Sequence, residues 1–157
     1  MKAEYPEFLG SMKVRAYGFP GVRQTRWIKA KHHITTDEVI DQVKYADAIG
    51  RTAWPVELHN ALEGFVWETF DGEHTHYIPS AEMTSPDADN LAAVDRCIDG
   101  DPTVLSSVRV MGPCMAQGMA AAHALDLAGS GSVQQIDIGA LQSRISDNLT
   151  RTDGVAP

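Results

Sequence analysis

The feature that most constrains this chain is the stretch from Ser106 to Ala122, which predicts a helix beginning near Gly112-Pro113. Proline is favoured at the first helical position, because its missing N–H would have no partner there. The helix body is dense in small residues, namely Ala116, Gly118, Ala120, Ala121, Ala122 and Ala124. Such a helix can lie close to a sheet or a ligand, and its N-terminal N–H groups suit an anion or a polarised carbonyl. These residues alone are equally compatible with a ligand site and with a well-packed helix start that binds nothing.

The run from Asn90 to Val94 precedes this helix and predicts a short parallel strand, followed by a loop. The carboxyl end of such a strand would open on the helix start, where open α/β sheets bind ligands. One parallel strand cannot form a sheet alone. The pattern therefore predicts that its neighbouring strands come from another segment or chain.

The first half of the sequence predicts strands around one short helix. Thr35 and Glu38 have the spacing of a capping box at the helix start, and Gly50 is the expected stop. The predicted strands are Met12–Phe19 and Val22–Ile34, joined at Pro20-Gly21, then Trp54–His59, Gly64–Phe70 and, after a hairpin at Asp71-Gly72, Thr75–Pro79. A last amphipathic helix is predicted over Ile138–Leu149.

The predicted fold class is therefore α+β with an α/β element. Residues 1–88 are predicted to form a β-rich segment, residues 89–128 a strand–loop–helix unit, and residues 129–157 a linker, helix and tail.

Charge and apolar patterning exclude several function classes. The chain has 13 basic and 21 acidic side chains, a formal charge of −8, whereas nucleic acids and anionic membranes require a basic surface. The most apolar stretch, Met115–Ala128, is short and interrupted by polar residues, and the N-terminus has no signal-peptide pattern. We expect a cytoplasmic protein in which Cys97 and Cys114 are reduced and mostly buried.

Four blocks of the sequence together resemble the FAD-dependent oxidoreductases of the glutathione-reductase-like superfamily, in the part that follows their substrate domain. The blocks are VRQTRWIKAKHHITTDEVI (22–40), DAIGRTAWPVELHN (47–60), YIP followed by DNLAAVDRCI (77–79 and 89–98), and SVRVMGPCMAQGMAA (107–121). The resemblance covers about two-thirds of the chain. It implies that the first segment belongs to a substrate-domain sheet and the second completes a Rossmann-like FAD-binding domain.

The resemblance also implies roles for particular residues. Backbone amides of the helix start would face the flavin, and the turn after Val94 would approach the ribityl and phosphate groups. The implied FAD-binding residues are Asp95, Arg96, Ser107, Arg109, Gly112, Pro113, Cys114 and Met115, and the implied catalytic residues on the substrate side are His59, Arg23 and Arg26. Arg23 and Arg26 would point to opposite faces of a strand, so at most one would reach the site. The implied reaction is hydride transfer from a small organic substrate to the flavin.

The sequence departs from the family pattern at three places. Asp95 stands where the family usually has Gly, and Pro102-Thr103 replace a common His-Glu pair. The GxGxxG fingerprint that seats the FAD pyrophosphate does not occur between Met1 and Pro157. We therefore expect FAD to be shared with a GxGxxG-bearing partner chain in a hetero-oligomer, as in a small subunit or C-terminal portion of the enzyme.

Two other functions remain open from the sequence. His74 and His76 share one strand face, a spacing that a small metal-binding β-domain could use, although paired histidines near a hairpin tip are usually surface residues. A truncated relic that retains the fold without the chemistry would explain Asp95, Pro102 and Thr103. Ser106 and Ser107 lack a His-Asp partner at a recognisable spacing, which argues against a hydrolase.

Overall fold

The structure, a computed structural model, describes residues 5–13, 15–18, 26–60 and 64–150. The helices of this part are α1 (Pro6–Leu9), α2 (Thr36–Ile40), α3 (Pro102–Val108), α4 (Met111–Ala128), α5 (Ile138–Arg144) and α6 (Ser146–Leu149). The strands are β1 (Ala48–Thr52), β2 (Val56–Asn60), β3 (Gly64–Glu68) and β4 (His76–Pro79). Helices and two small antiparallel sheets thus make up an α+β fold, and none of the described helices is long and apolar enough to cross a membrane.

The strand pairing differs from the predicted hairpin at Asp71-Gly72. β2 pairs with β3, and β4 pairs with β1, with Thr52 opposite His76. Gly72 does adopt a turn conformation, with φ of +62°, but the turn carries the chain from one sheet to the other. Burial explains the choice, because β4 is almost wholly buried whereas most of β3 is exposed. Buried β4 joins β1 under α4, whereas β2 packs against α3 and leaves most of β3 exposed.

The predicted strands at Met12–Phe19 and Val22–Ile34 are wrong where the structure describes them. Residues 15–18 and 26–33 have no regular secondary structure, and the Pro20-Gly21 turn lies outside the described residues. Ile34 forms a single parallel bridge with Gly100. The segment before it is held by other bonds, from Ile28 N to Cys97 O (2.8 Å) and from Ala30 N to Asp99 Oδ2 (2.9 Å). These bonds satisfy its backbone without a continuous ladder.

The parallel strand predicted at Asn90–Val94 is also absent from the described structure. The run makes one antiparallel bridge, between Ala92 and Thr84, and is otherwise irregular. The loop predicted after it contains α3, which begins at Pro102 and buries Val104, Leu105 and Val108. That spacing places the three side chains on one helix face. No Rossmann-like sheet is therefore present among the described residues.

Four of the predicted helix ends are right, and two features of the helices were predicted wrongly. Thr35 and Glu38 form the predicted capping box, but α2 ends at Ile40, and Gly50 lies in β1. α4 begins within one residue of Gly112. The C-terminal helix covers the predicted range but breaks at Ile145, between α5 and α6.

One hydrophobic core connects the sheets to the helices. It includes Ile34, Ile49, Ile78, Met83, Ile98, Val104, Leu105, Val108, Ala120, Ala121, Ala124, Val133, Leu141 and Ile145. Burying each Ile or Leu side chain contributes roughly 1.5–3 kcal/mol before entropy is counted. The core draws on all three predicted segments of the chain, and it positions the start of α4 beside the β1–β2 connection.

Candidate functional site

The site begins with α4, whose inward face is built from small residues. Ala120, Ala121 and Ala124 are buried, and a Cβ on Gly50 of β1 would lie 3.4 Å from Ala116 Cβ. The helix has 18 residues, and its N-cap residue, Val110, offers no side-chain hydrogen bond to the first turn. The positive end of the helix dipole is therefore not capped by a side chain.

A cavity of about 560 Å³ opens at this helix start, and we call it the helix-start cavity. Its lining residues are Thr52, Trp54, Glu57, Ser106, Arg109, Val110, Met111, Gly112 and Pro113. Arg109 Nη2 donates to the carbonyl oxygen of Glu57 at 3.5 Å. The cavity thus combines a helix N-terminus with a guanidinium group, and this pairing favours an anion or a carbonyl carrying negative charge.

Gly112 leaves open space on its outward side. A Cβ built on Gly112 would meet no atom within 4 Å. The chain itself therefore does not require glycine at this position. A side chain added here would project beyond the surface of α4, where it could only affect something bound from outside.

Asp95 lies behind the helix start and is tied to it by two bonds. Its Oδ1 accepts a hydrogen bond from Cys114 Sγ (3.0 Å), and its backbone N–H donates to Gln117 Oε1 (2.6 Å). Arg96 Nε lies 3.5 Å from the other carboxylate oxygen and offsets its charge. Asp95 has φ of +62°, in the left-handed region that favours glycine. The conformation gives a physical reason for a Gly at this position in the family pattern.

Cys114 is held as a neutral thiol. Burial, and then the hydrogen bond to Asp95, raise its pKa to about 12. A thiol in this state is a poor nucleophile and a poor redox group. Cys97 is exposed, contrary to the expectation of two mostly buried thiols, and both cysteines are free.

Ser107 does not lie at the helix start with the other residues of its block. It is fully buried in α3, where its hydroxyl donates to the carbonyl oxygen of Trp54 at 2.6 Å. Ser107 Oγ also lies 3.0 Å from His76 Nε2, and His76 Nδ1 lies 3.1 Å from His74 Nε2. Ser107 therefore belongs to an interior hydrogen-bonded cluster and not to the helix-start cavity.

The two histidines of this cluster are buried, so the expectation of surface residues is wrong. The His74 ring stacks on Phe70 at 3.8 Å between centroids. A sequence signal for this burial existed: His74 and His76 share the period-2 face of Ile78, an apolar residue that faces the core. Burial lowers the pKa of both rings, that of His76 to about 4 with a further contribution from His74.

The remaining predicted site residues do not line the helix-start cavity among the described residues. Arg26 is exposed in an irregular segment, and Arg23 lies outside the described residues. His59 pairs with Phe65 in the β2–β3 ribbon, and its side chain lies outside the described part. Met115 is 73% exposed on the outer face of α4. The structure thus brings Arg109, Gly112 and Pro113 together in one cavity, and of the three proposed catalytic residues it describes the side chain of Arg26 alone.

Sequence reasoning missed a group of buried acidic residues. Glu82 is fully buried, and neither of its carboxylate oxygens has a hydrogen-bond partner among the described residues. Burial, followed by repulsion from Asp47, Asp99 and Glu38, raises its pKa well above the ordinary range. His33 Nδ1 pairs with Asp99 Oδ1 at 2.6 Å. Across residues 5–13, 15–18, 26–60 and 64–150, no cluster of three or more His, Cys, Asp or Glu could hold a metal ion.

An α+β fold with an uncapped helix start beside Arg109 thus defines the candidate site. Residues 3–145 match the family model described as FAD-dependent oxidoreductase. The chain belongs to this FAD-dependent oxidoreductase family. Searches of curated proteins and of solved structures each gave no match.

The helix-start cavity is compatible with one wall of an FAD site. The free first turn of α4, the Arg109 guanidinium and the open space at Gly112 all suit the electron-rich edge of a flavin. Arg96 compensates the negative charge of Asp95. The GxGxxG pattern that seats the FAD pyrophosphate in dinucleotide-binding folds does not occur in the sequence.

Proposed function

We propose that this chain is the C-terminal portion or small subunit of an FAD-dependent oxidoreductase, and that it supplies the flavin-facing wall of a shared site. The observation that carries the proposal is the opening of α4's uncapped start, with Arg109, into the 560 Å³ helix-start cavity. Because the chain belongs to an FAD-dependent oxidoreductase family, we take FAD as the ligand of this cavity. When bound, FAD would supply the hydride acceptor.

The residues of this chain would bind and orient one edge of the flavin. Backbone N–H groups in the first turn of α4 can donate to a carbonyl oxygen, and Arg109 adds a permanent positive charge beside them. Both interactions strengthen as negative charge develops on the reduced ring. Trp54 lines the same cavity and would exclude water from one side.

The outer face of α4 supports the proposal of a partner chain. Met111, Met115 and Met119 follow one another at intervals of four residues and are 81%, 73% and 48% exposed. We call them the methionine row. Side chains four apart form one continuous helix face, and an exposed apolar face of this kind favours burial against another protein surface. We propose that a GxGxxG-bearing FAD-binding chain covers the methionine row and supplies the rest of the site.

The flavin-facing role is tested with Gly112→Leu in the flavin-containing complex. The Cβ of the new side chain meets no atom of this chain within 4 Å, so folding should be unchanged while flavin occupancy falls. Gly18→Leu is a matched control, because its Cβ also meets nothing within 4 Å and lies outside α4. If Gly112→Leu retains full flavin absorbance, the helix start does not face the cofactor.

The shared site is tested by gel filtration of the isolated chain after incubation with FAD. The pyrophosphate-binding half of the site is missing from the sequence, so no flavin band should elute with the protein. Co-production with a GxGxxG-bearing partner should yield a yellow hetero-oligomer. A stoichiometric flavin band on the isolated chain would contradict the proposal of a shared site.

A further inference from the structure

A second cavity, of about 410 Å³, lies on the other side of α3, and we call it the His74 cavity. None of its described lining residues also lines the helix-start cavity. Its wall is largely apolar, through Val39, Ile40, Val56, Phe70 and Val104. Cavities of this size and character bind small organic molecules.

The hydrogen bonds of the buried cluster determine which atom His74 offers to a ligand. Ser107 has one hydroxyl hydrogen, which it donates to Trp54 O, so the 3.0 Å contact requires the hydrogen on His76 Nε2. A neutral His76 then has its lone pair on Nδ1 and accepts from His74 Nε2–H at 3.1 Å. A neutral His74 consequently carries no hydrogen on Nδ1.

The neutral forms agree with the surroundings of both rings, since burial lowers the pKa of each. Among the described residues no donor bonds to His74 Nδ1, and His74 lines the cavity. The cluster therefore presents a hydrogen-bond acceptor. It does not act as a serine–histidine nucleophile, because His76 donates to Ser107 and has no lone pair there to take its proton.

The charged residues of the cavity wall are both acidic. Glu68 and Asp71 line it with exposed carboxylates, while none of its described lining residues is Lys or Arg. A carboxylate or phosphate ligand would meet two negative charges and a lone pair. A ligand with a cationic hydrogen-bond donor would instead meet three acceptors, namely the two carboxylates and the lone pair of His74 Nδ1.

We propose that the His74 cavity binds a small organic amine, with its apolar body against Val56 and Val104. The ammonium group donates to His74 Nδ1 and is attracted by Glu68 and Asp71. This site is independent of the flavin-facing role proposed for α4.

The proposal is tested by calorimetric titration of the full chain, without FAD, with benzylamine, benzyl alcohol and benzoate. The three probes share one ring and differ in the charge and donors of their head group. Benzylamine should bind about tenfold more tightly than benzyl alcohol, since only the amine gains charge-assisted bonds, and benzoate should not bind. Equal binding of the three probes, tighter binding of benzoate, or no binding of benzylamine would overturn the proposal.

Two variants locate the site. Glu68→Gln combined with Asp71→Asn changes exposed side chains only, so the fold should persist while the advantage of benzylamine over benzyl alcohol disappears. Glu73→Gln, an exposed neighbour outside the cavity, is the matched control. His74→Phe should abolish binding of both probes. If zinc instead binds at one equivalent and is lost in that variant, the cavity is a metal site.

Discussion

The backbone N–H of Asp95 donates to the buried side-chain oxygen of Gln117 at 2.6 Å, which fixes a left-handed residue against the first turns of α4. Gln117 also donates through Nε2 to Val108 O at 3.0 Å. One side chain thus connects α3, α4 and the turn after Val94. The geometry of the helix-start cavity depends on this connection.

Gln117→Met should test how much this connection stabilises the fold. It keeps the approximate volume and leaves Asp95 N–H and Val108 C=O without their partner, which should cost about 2 to 4 kcal/mol of unfolding free energy. Chemical denaturation would measure the loss. Gln135→Met, at an exposed position, should change stability by less than about 0.5 kcal/mol. Equal effects of the two substitutions would show that the Gln117 bonds contribute nothing.

At position 95 the glycine variant should be more stable than the alanine variant, whereas alanine is the more stabilising of the two at most positions. Both lose the bond to Cys114, but only glycine adopts φ of +62° without strain, so Gly should be more stable than Ala by about 1 kcal/mol. The same pair at exposed Ser143 of α5 should favour Ala by about 1 kcal/mol. Ala as the better residue at both sites would contradict the strained conformation of Asp95.

Glu82→Gln should stabilise the protein more at neutral pH than in acid. The pKa of Glu82 is raised in the folded state, so its favourable contribution is present below its ordinary pKa and is lost as pH rises through the folded value. The glutamine amide cannot ionise, so the stability of the Glu82→Gln protein should decline less with rising pH than that of the unchanged protein. Thermal unfolding at several pH values would show this. Glu68→Gln, at an exposed position, is the control.

His76→Gln should reduce the amount of stability that the protein loses as the pH falls. The pKa of His76 is lowered to about 4, so the unfolded chain takes up a proton from about pH 6.5 downward while the folded ring remains neutral. Stability attributable to this ring should fall progressively between these pH values, by about 3 kcal/mol in total. His123→Gln, in α4, is the control. An unchanged acid slope in His76→Gln would contradict the buried neutral ring.

Local sequence signals predicted the elements that depend on near neighbours. The capping box needs only Thr35 and Glu38 and was identified correctly. The start of α4 was placed within one residue, although Pro113 is the third residue of the helix and not the first as predicted. The β1–β4 pairing depends on which strand the core buries, and Asn90–Val94 lacks the neighbours that a strand requires. Neither the strand pairing nor the lack of neighbouring strands can be predicted from the residues of these segments alone.

In the candidate site, too, positions set by near neighbours were predicted and contacts between distant residues were not. The resemblance placed Arg109, Gly112 and Pro113 at one helix start, where the structure finds a shared cavity, because the three residues are near neighbours in the chain. Ser107 belongs to the same block but turns inward to Trp54 and His76, which are 53 and 31 residues away in the chain. Contacts across such separations arise from packing and not from spacing.

The pairing of β1 with β4 has a consequence for the order in which the chain folds. The ribbon of β2 and β3 is nested between these strands, so forming it first shortens the effective loop that β1 and β4 must close. Each halving of that loop lowers the entropic cost of closure by about 0.6 kcal/mol. Substitutions in the nested ribbon should therefore slow folding, whereas those in β1 and β4 should mainly accelerate unfolding, which stopped-flow kinetics can distinguish.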